Sequence, residues 1–373
     1  EQLGEIGAVA MAVPEEHGGW GASLLDLVLV AEQHGRHLGS APLIEAQVAA
    51  RALARVGKPG AGALASVLET GAIVTFAPRP VRAGVAVATM VPGAAVAESI
   101  VALVDYELVL VPIGEDRVIP QNLASMPVAD VPIRDAVVLV AGTDAKSLFD
   151  RALDEWLVLT GAALGAIAKR SVEIGVDYAK ERHAFGQAIG AFQAVAHPLA
   201  DSAAASDGAQ LLAREAAWAF DADPDRSSEL ASFAFAYGAE TARDASYRAL
   251  HLHGGYGFML EYDIQLGYRR ARAWSNVGLN PARAYARARH LANVADGGEA
   301  LAPAPSDEPV VGMDFQLHPG EIEFRADIRA FLDEHLTPEL ELQMHHSGVC
   351  HDTDFAHALA ERGWIAPGWP TEI

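Results

Sequence analysis

The chain has 373 residues, 51% hydrophobic and 20% charged, enough to bury a large core and to form two or more structural units. Its 27 Lys and Arg stand against 49 Asp and Glu, and the net charge of -22 argues against nucleic acid or an anionic membrane as the general partner. The single cysteine, Cys350, rules out an intrachain disulfide framework and a cysteine-rich metal site and fits a reducing cytoplasm, and no apolar run approaches the roughly 20 residues of a membrane helix.

No secretory leader is visible, and the chain reads as starting within a fold. Residues 1–70 alternate helical stretches with glycine punctuation. SLLDLVLVAEQHGRHLG (Ser23 to Gly39) opens with a serine cap and places Leu24, Leu27, Val28 and Ala31 on one face, the pattern of an amphipathic helix. From 71 to 142 the texture changes to short β-branched runs, AIVTFA, GVAVATMV, SIVALVD, YELVLVPI and DAVVLVAG, broken by Pro, Gly and Asp, which predicts a small antiparallel β domain. Residues 143–298 return to long alanine-rich helical stretches, with breaks predicted at Phe185 to Gly190, Asp221 to Asp225 and Gly254 to Gly257.

Residues 299–313 are rich in Gly, Pro and acidic side chains, as a linker should be. A new unit is expected over 314–373, opening with an amphipathic helix, DFQLHPGEIEFRADIRAFLDEHL (Asp314 to Leu336). LAERGWIAPGWPTEI (Leu359 to Ile373) repeats the register of LGEIGAVAMAVPEEH (Leu3 to His17). Glu5 corresponds to Glu361, Gly7 to Gly363, Pro14 to Pro370 and Glu16 to Glu372. A repeat with the period of a whole domain suggests duplication, so 314–373 reads as the first helices of a second copy; the alternative is that these helices complete the first unit by permutation.

Three segments, ERHAFGQAIGAFQAVAH (Glu181 to His197), HLHGGYGF (His251 to Phe258) and VPEEHGGWG (Val13 to Gly21), resemble the acyl-CoA dehydrogenase family, over most of residues 1–298. The resemblance implies a mainly α fold with a central β domain: an N-terminal helical domain, a small antiparallel β domain and a C-terminal four-helix bundle. It also implies FAD as cofactor, an acyl-CoA substrate and an electron-accepting flavoprotein as partner. In the family, residues at the places of Arg182, Phe185, Gln193 and His197 grip the FAD of a neighbouring subunit, and a planar guanidinium suits its pyrophosphate. His251, where the family usually has glutamine, would form the other half of the adenine site with Gly254, Gly255 and Gly257.

The resemblance is incomplete where the chemistry would lie. Dehydrogenation needs a carboxylate that removes an α-proton opposite a flavin that accepts the β-hydride. The family's usual glutamate has Gly278 in its place. A minority of members carry the base near the start of the first long helix of the bundle, where Glu155 stands, with Asp154 turned about 100° away toward the surface. Two other readings of Glu155 are a solvated acid favoured by the helix dipole and a vestigial residue of an inactive copy. The family's Thr-Glu-Pro-x-x-Gly-Ser-Asp-like stretch and following tryptophan, which hold the flavin ring and acyl-CoA, are replaced by TFAPRPVRAG (Thr75 to Gly84), and no tryptophan lies between Trp20 and Trp156. The combination is similar to one half of the unequal steroid-type pairs of actinobacteria. The expected activity is FAD-dependent α,β-dehydrogenation of a bulky acyl-CoA, with Glu155 as candidate base, in a homo-oligomer or beside a second half. The alternatives are an inert half that completes a partner's FAD site, and a flavoprotein on the same scaffold that handles nitroalkanes or transfers oxygen.

Overall fold

The computed structural model describes residues 7–82, 84–295, 319–347 and 352–364. The expected linker, Cys350, and the repeat partners Glu5, Pro370 and Glu372 lie outside the described residues. The chain divides into two compact units, Glu1–Ala304 and Pro305–Ile373.

In the first unit, short 3-10 turns at Ala10–Ala12 and Glu15–His17 lead into helix α1, Leu24–Arg36. Ser23 and Asp26 form a reciprocal capping box that satisfies the first free amides, and Leu24, Leu27, Val28 and Ala31 are buried as the periodicity predicts. Helices α2 (Leu43–Val56) and α3 (Ala61–Thr70) complete the N-terminal helical region.

Six strands follow: β1 Val74–Phe76, β2 Val87–Val91, β3 Ser99–Val104, β4 Glu107–Pro112, β5 Ala129–Pro132 and β6 Val137–Ala141. Each of the five predicted runs contains one. The sixth, β5, is the segment ADVP ending in Pro132, which holds a single β-branched residue and so lacks the run that marks the others. The strands form a four-stranded sheet in the order β1-β3-β4-β6 and a separate β2-β5 pair. The β3-β4, β4-β6 and β2-β5 pairs are antiparallel as expected, whereas β1 runs parallel to β3, with Val74 opposite Ser99. The reason is connectivity: the chain leaves β1, detours through β2 in the other sheet and re-enters beside β1 in the same direction.

Helix α4, Thr143–Glu181, runs unbroken for 39 residues. A hairpin of β7 (His183–Ala184) and β8 (Gln187–Ala188) fills the first predicted break, turning at Phe185 and Gly186, both with positive φ of 53° and 83°. That pair of left-handed residues makes a tight turn whose twist matches its short strands. Helix α5 (Gln193–Ala222) gives way to α6 (Pro224–Leu252) at the second break, with Pro224 at the first helical position, where its missing N–H costs nothing. A 3-10 turn, Gly254–Phe258, occupies the third break, and α7 (Ile264–Val277) and α8 (Pro281–Ala295) close the bundle. The alanine and glycine content lets helices touch backbone to backbone: a Cβ at Gly161 of α4 would lie 2.7 Å from the Ala234 carbonyl of α6, and one at Gly238 would lie 2.7 Å from the Gly161 carbonyl.

The second unit holds α9 (Pro319–His335), α10 (Pro338–Ser347) and α11 (Thr353–Glu361), and Phe331 of α9 is buried against the rings of Phe355 at 5.9 Å and Trp364 at 5.3 Å. Gly363, just beyond α11, has φ 70°, and its sequence counterpart in the first unit, Gly7, has φ 68°. The repeated glycine thus serves the same backbone need in each unit, a left-handed residue that a side chain would strain.

Candidate functional site

Helix α4 carries the proposed chemistry at its two ends. Arg182 lies 27 residues beyond Glu155, about 40 Å along a continuous helix, so the two belong to different sites.

At the N-terminal end, Glu155 has no solvent exposure and is enclosed by arginines. Arg55 of α2 grips it with two nitrogens, Nη1 to Oε2 at 3.0 Å and Nη2 to Oε1. Arg51, one turn earlier on α2, reaches Oε1 at 3.2 Å, and Arg151 on α4 stands 3.7 Å away. Burial pushes the carboxyl up, but the charges and hydrogen bonds of Arg55 and Arg51 outweigh it and hold Glu155 below its ordinary range. A general base working near neutrality needs access to a substrate proton and a pKa near the working pH. Glu155 has neither feature here. Its neighbour Asp154 is also buried, contrary to the surface position expected of it. It accepts from Ser228 Oγ at 2.5 Å and pairs with Arg287 at 2.6 Å, a site made by α6 and α8 on its other side. Both flanks of α4 are covered, so a 100° turn between neighbours leads from one interior to another.

The residue of α4 that faces Gly278 is Trp156, 1% exposed. A Cβ at Gly278 would lie 2.6 Å from two atoms of its indole and 2.9 Å from Pro78 Cγ. The space into which a glutamate at 278 would project is therefore filled by an aromatic ring. Trp156 Nε1 donates to Glu45 Oε1 of α2 at 3.2 Å, which fixes the indole there.

The stretch TFAPRPVRAG stands at the place of the family's flavin-ring motif. Thr75, the one residue kept from the family's Thr-Glu-Pro start, is buried and spends its hydroxyl on the Pro92 carbonyl at 2.6 Å. Phe76 and Ala77 are buried too. The adjoining cavity, lined by Pro78, Arg79, Arg82, Val87, Met90 and Val277 among others, has a volume of about 220 Å³. That is below the roughly 300–1,000 Å³ usual for cofactor and ligand pockets. These residues do not fit an isoalloxazine ring, and no chemical step can be drawn through one here.

The opposite end of α4 is built differently. Arg182 caps the helix, and its side chain has no carboxylate partner among the described residues. Phe185 at the hairpin tip is 94% exposed, and Gln193, His197 and His251 are exposed as well. The hairpin and the glycine turn are joined through Tyr178, one turn before Arg182: its ring stacks on His253 at 4.0 Å, and His253 Nδ1 lies 2.7 Å from the Ala249 carbonyl. The structure thus brings Arg182 and the His251 segment to one end of the bundle. Among the glycines, Gly254 has φ 58°, and a Cβ at either Gly254 or Gly255 would meet nothing, leaving the turn open from outside. Gly257 differs: its Cβ would collide with the Leu250 carbonyl at 2.5 Å, so its role is internal packing. The sequence reading missed Trp156, Tyr178 and His253. Only the aromatic residues interspersed in the two motifs hinted at the last two.

This architecture, two helical regions around a small β domain, defines an acyl-CoA dehydrogenase-like unit. The family models for the acyl-CoA dehydrogenase N-terminal and C-terminal domains match residues 1–62 and 149–278. The chain is 30% identical to acyl-CoA dehydrogenase IpdE2 of Mycolicibacterium smegmatis (strain ATCC 700084 / mc(2)155) over 284 residues, covering 75% of this chain and 82% of that protein. It is also 30% identical to acyl-CoA dehydrogenase FadE34 of Mycobacterium tuberculosis (strain ATCC 25618 / H37Rv) over 279 residues, 72% of this chain but 38% of the relative. The ChsE4-ChsE5 complex from Mycobacterium tuberculosis shares the fold with a TM-score of 0.70 at 24% identity, covering 81% of this chain and 88% of that one. The chain belongs to the acyl-CoA dehydrogenase family, FAD-dependent oxidoreductases acting on CH–CH groups.

Proposed function

We propose that the first unit is a supporting half of an acyl-CoA dehydrogenase: it contributes the adenosine-side grip to an FAD whose ring and catalytic base belong to a second half. The observation that carries this reading is the packing of Trp156 on Gly278, which leaves neither a base nor room for one, while Arg182, Phe185, Gln193, His197 and His251 stand open at the other end. When bound, FAD supplies the hydride acceptor; this chain's residues orient its far end. Glu155 acts as a structural counter-ion between α2 and α4, replacing its expected role as base. The ChsE4-ChsE5 complex gives precedent within the fold for two distinct chains assembling, and FadE34 shows that a relative matched by this chain can extend well beyond the match. The second half is then either the continuation begun by the second unit or a separate chain. The acyl-CoA substrate, a bulky one such as a steroid side-chain thioester, and the electron-accepting flavoprotein would be met by that half.

Flavin content tests the reading. The chain purified alone should be colourless, and the complete assembly yellow, with Arg182→Ala lowering its flavin retention. One flavin per chain in the isolated protein, bleached by an acyl-CoA, would overturn it.

A further inference from the structure

The arginines around Glu155 outnumber what it can neutralise. Arg51, Arg55 and Arg151 all reach toward Glu155, and no other carboxylate is paired with any of them among the described residues. Asp154, next along α4, is already matched with Arg287 at 2.6 Å. Three cations on one anion leave an excess of two positive charges in a largely buried place, where an unmatched charge is costly. Burial pushes the Arg151 pKa down, and the Arg55 and Arg51 charges add to this against the pull of Glu155.

Two of the three guanidinium groups keep unused donors. Arg51 donates from Nη1 to the Ala12 and Ala22 carbonyls at 3.2 and 3.5 Å and from Nη2 to Glu155, but its Nε is buried with no partner. Arg151 makes no hydrogen bond among the described residues: its Nε stands 3.7 Å from Glu155, and its guanidinium lies over the Phe220 ring, 4.1 Å from the centroid. Arg51, Arg151 and Phe220 meet at one cavity of about 470 Å³, a size that takes a small ligand. The other charged residues of its lining have the opposite sign. Glu15, Glu16 and Asp221 are exposed, and none of them is in an ion pair among the described residues. The cavity therefore has arginines in its depth and carboxylates at its rim. A dianion such as phosphate would meet repulsion at the rim, and a simple cation would meet it in the depth; a ligand with a carboxylate at one end and an ammonium at the other matches both.

We propose that this cavity binds a small zwitterion of the amino-acid class, its carboxylate between Arg51 and Arg151 and its ammonium at Glu15, Glu16 and Asp221. The bound carboxylate supplies one of the missing counter-charges, and the planar fork of Arg151, laid on Phe220, suits its two oxygens. The site lies at the opposite end of α4 from Arg182 and is independent of the flavin surface there.

The test uses the chain itself, titrated by calorimetry with 4-aminobutyrate, which has both charged ends, and with butyrate and butylamine, which have one each. 4-Aminobutyrate should bind in the millimolar range, butyrate about tenfold more weakly, and butylamine not detectably at the same concentrations. Arg151→Met should weaken 4-aminobutyrate about tenfold, the scale of one charge-assisted hydrogen bond. If that variant does not fold, Arg151→Lys, which keeps the charge and loses the fork, decides on the same loss. Replacing the exposed Glu15, Glu16 and Asp221 together by their amides should bring 4-aminobutyrate down to the level of butyrate. Several results would overturn the proposal: no 4-aminobutyrate binding at about 10 mM, a level that detects millimolar affinity; unchanged binding in the Arg151 variant; or butyrate or butylamine binding the unsubstituted chain as tightly as 4-aminobutyrate.

Discussion

Replacing Glu155 by Gln removes one negative charge from a pocket that holds three guanidinium groups and keeps the side chain's shape. The amide oxygen can still accept one hydrogen bond, but Arg51, Arg55 and Arg151 would then repel one another with no counter-charge among them. Breaking a buried ion pair from one side typically costs 3–5 kcal/mol; the side chains of Arg51, Arg55 and Arg151 are 15%, 26% and 35% exposed, so water screens part of that. We expect a loss of about 3 kcal/mol, at the lower end of the range. For a large domain this is roughly 5 °C in melting temperature, measurable by circular dichroism. The pH dependence gives a second check. The folded-state pKa of Glu155 is depressed, so its stabilisation is present above the unfolded value of about 4.3 and is lost as pH falls through the folded value. The gap between parent and Glu155→Gln should therefore be constant from about pH 8 to pH 5 and close only under acid conditions. A variant as stable as the parent at pH 7, or a gap that opens as pH falls, would refute the structural assignment. If the variant of the complete assembly melted normally yet lost activity about 10²-fold, Glu155 would be a base after all.

Gly278→Ala places a methyl group against Trp156 and Pro78, and should cost about 1–3 kcal/mol by overpacking, read from the denaturant midpoint. Gly278→Glu should cost more and restore no activity; recovered acyl-CoA-dependent flavin bleaching would contradict a filled centre. His34, stacked on Trp274 at 5.7 Å, has its pKa lowered to about 4 by burial and by the Arg270 charge. Because the unfolded chain binds a proton near pH 6.5 that the folded one refuses, stability should fall as pH drops from about 6.5 toward 4. His34→Gln should flatten that part of the stability curve, and an unchanged curve would show that His34 is not its source.

Much of the architecture was legible because periodicity and breakers report directly on local geometry. The buried face of α1, the five strands that lie within β-branched runs and the three breaks in the bundle all follow from apolar spacing and from Gly, Pro and Asp. β5 was not legible: ADVP holds one β-branched residue between Asp130 and Pro132, and the strand exists because Val87 and Ala88 offer it partners at Pro132 and Val131. The parallel β1-β3 pair was hidden for a similar reason, since strand direction depends on the path between strands. The site divides along the same line. Motifs fixed by local chain geometry, the hairpin after Arg182 and the glycine turn after His251, were readable in one dimension.

What could not be read was the rotation of α4 about its axis. Adjacent residues there differ by about 100°, which separates a carboxylate among arginines at 155 from an indole against Gly278 at 156. On an amphipathic helix the apolar stripe would settle that rotation, but residues 154–168 of α4 are all buried and give no polar face to count from. Position 278 could have supplied the missing phase. A glycine where the family has its glutamate leaves a void unless a large neighbour fills it, and Trp156 is the one bulky aromatic in the Leu153–Gly165 segment. Gly278 and Trp156 therefore share one space from two helices: Gly278→Glu alone should give a clash and Trp156→Ala alone a cavity, each read as a loss of stability.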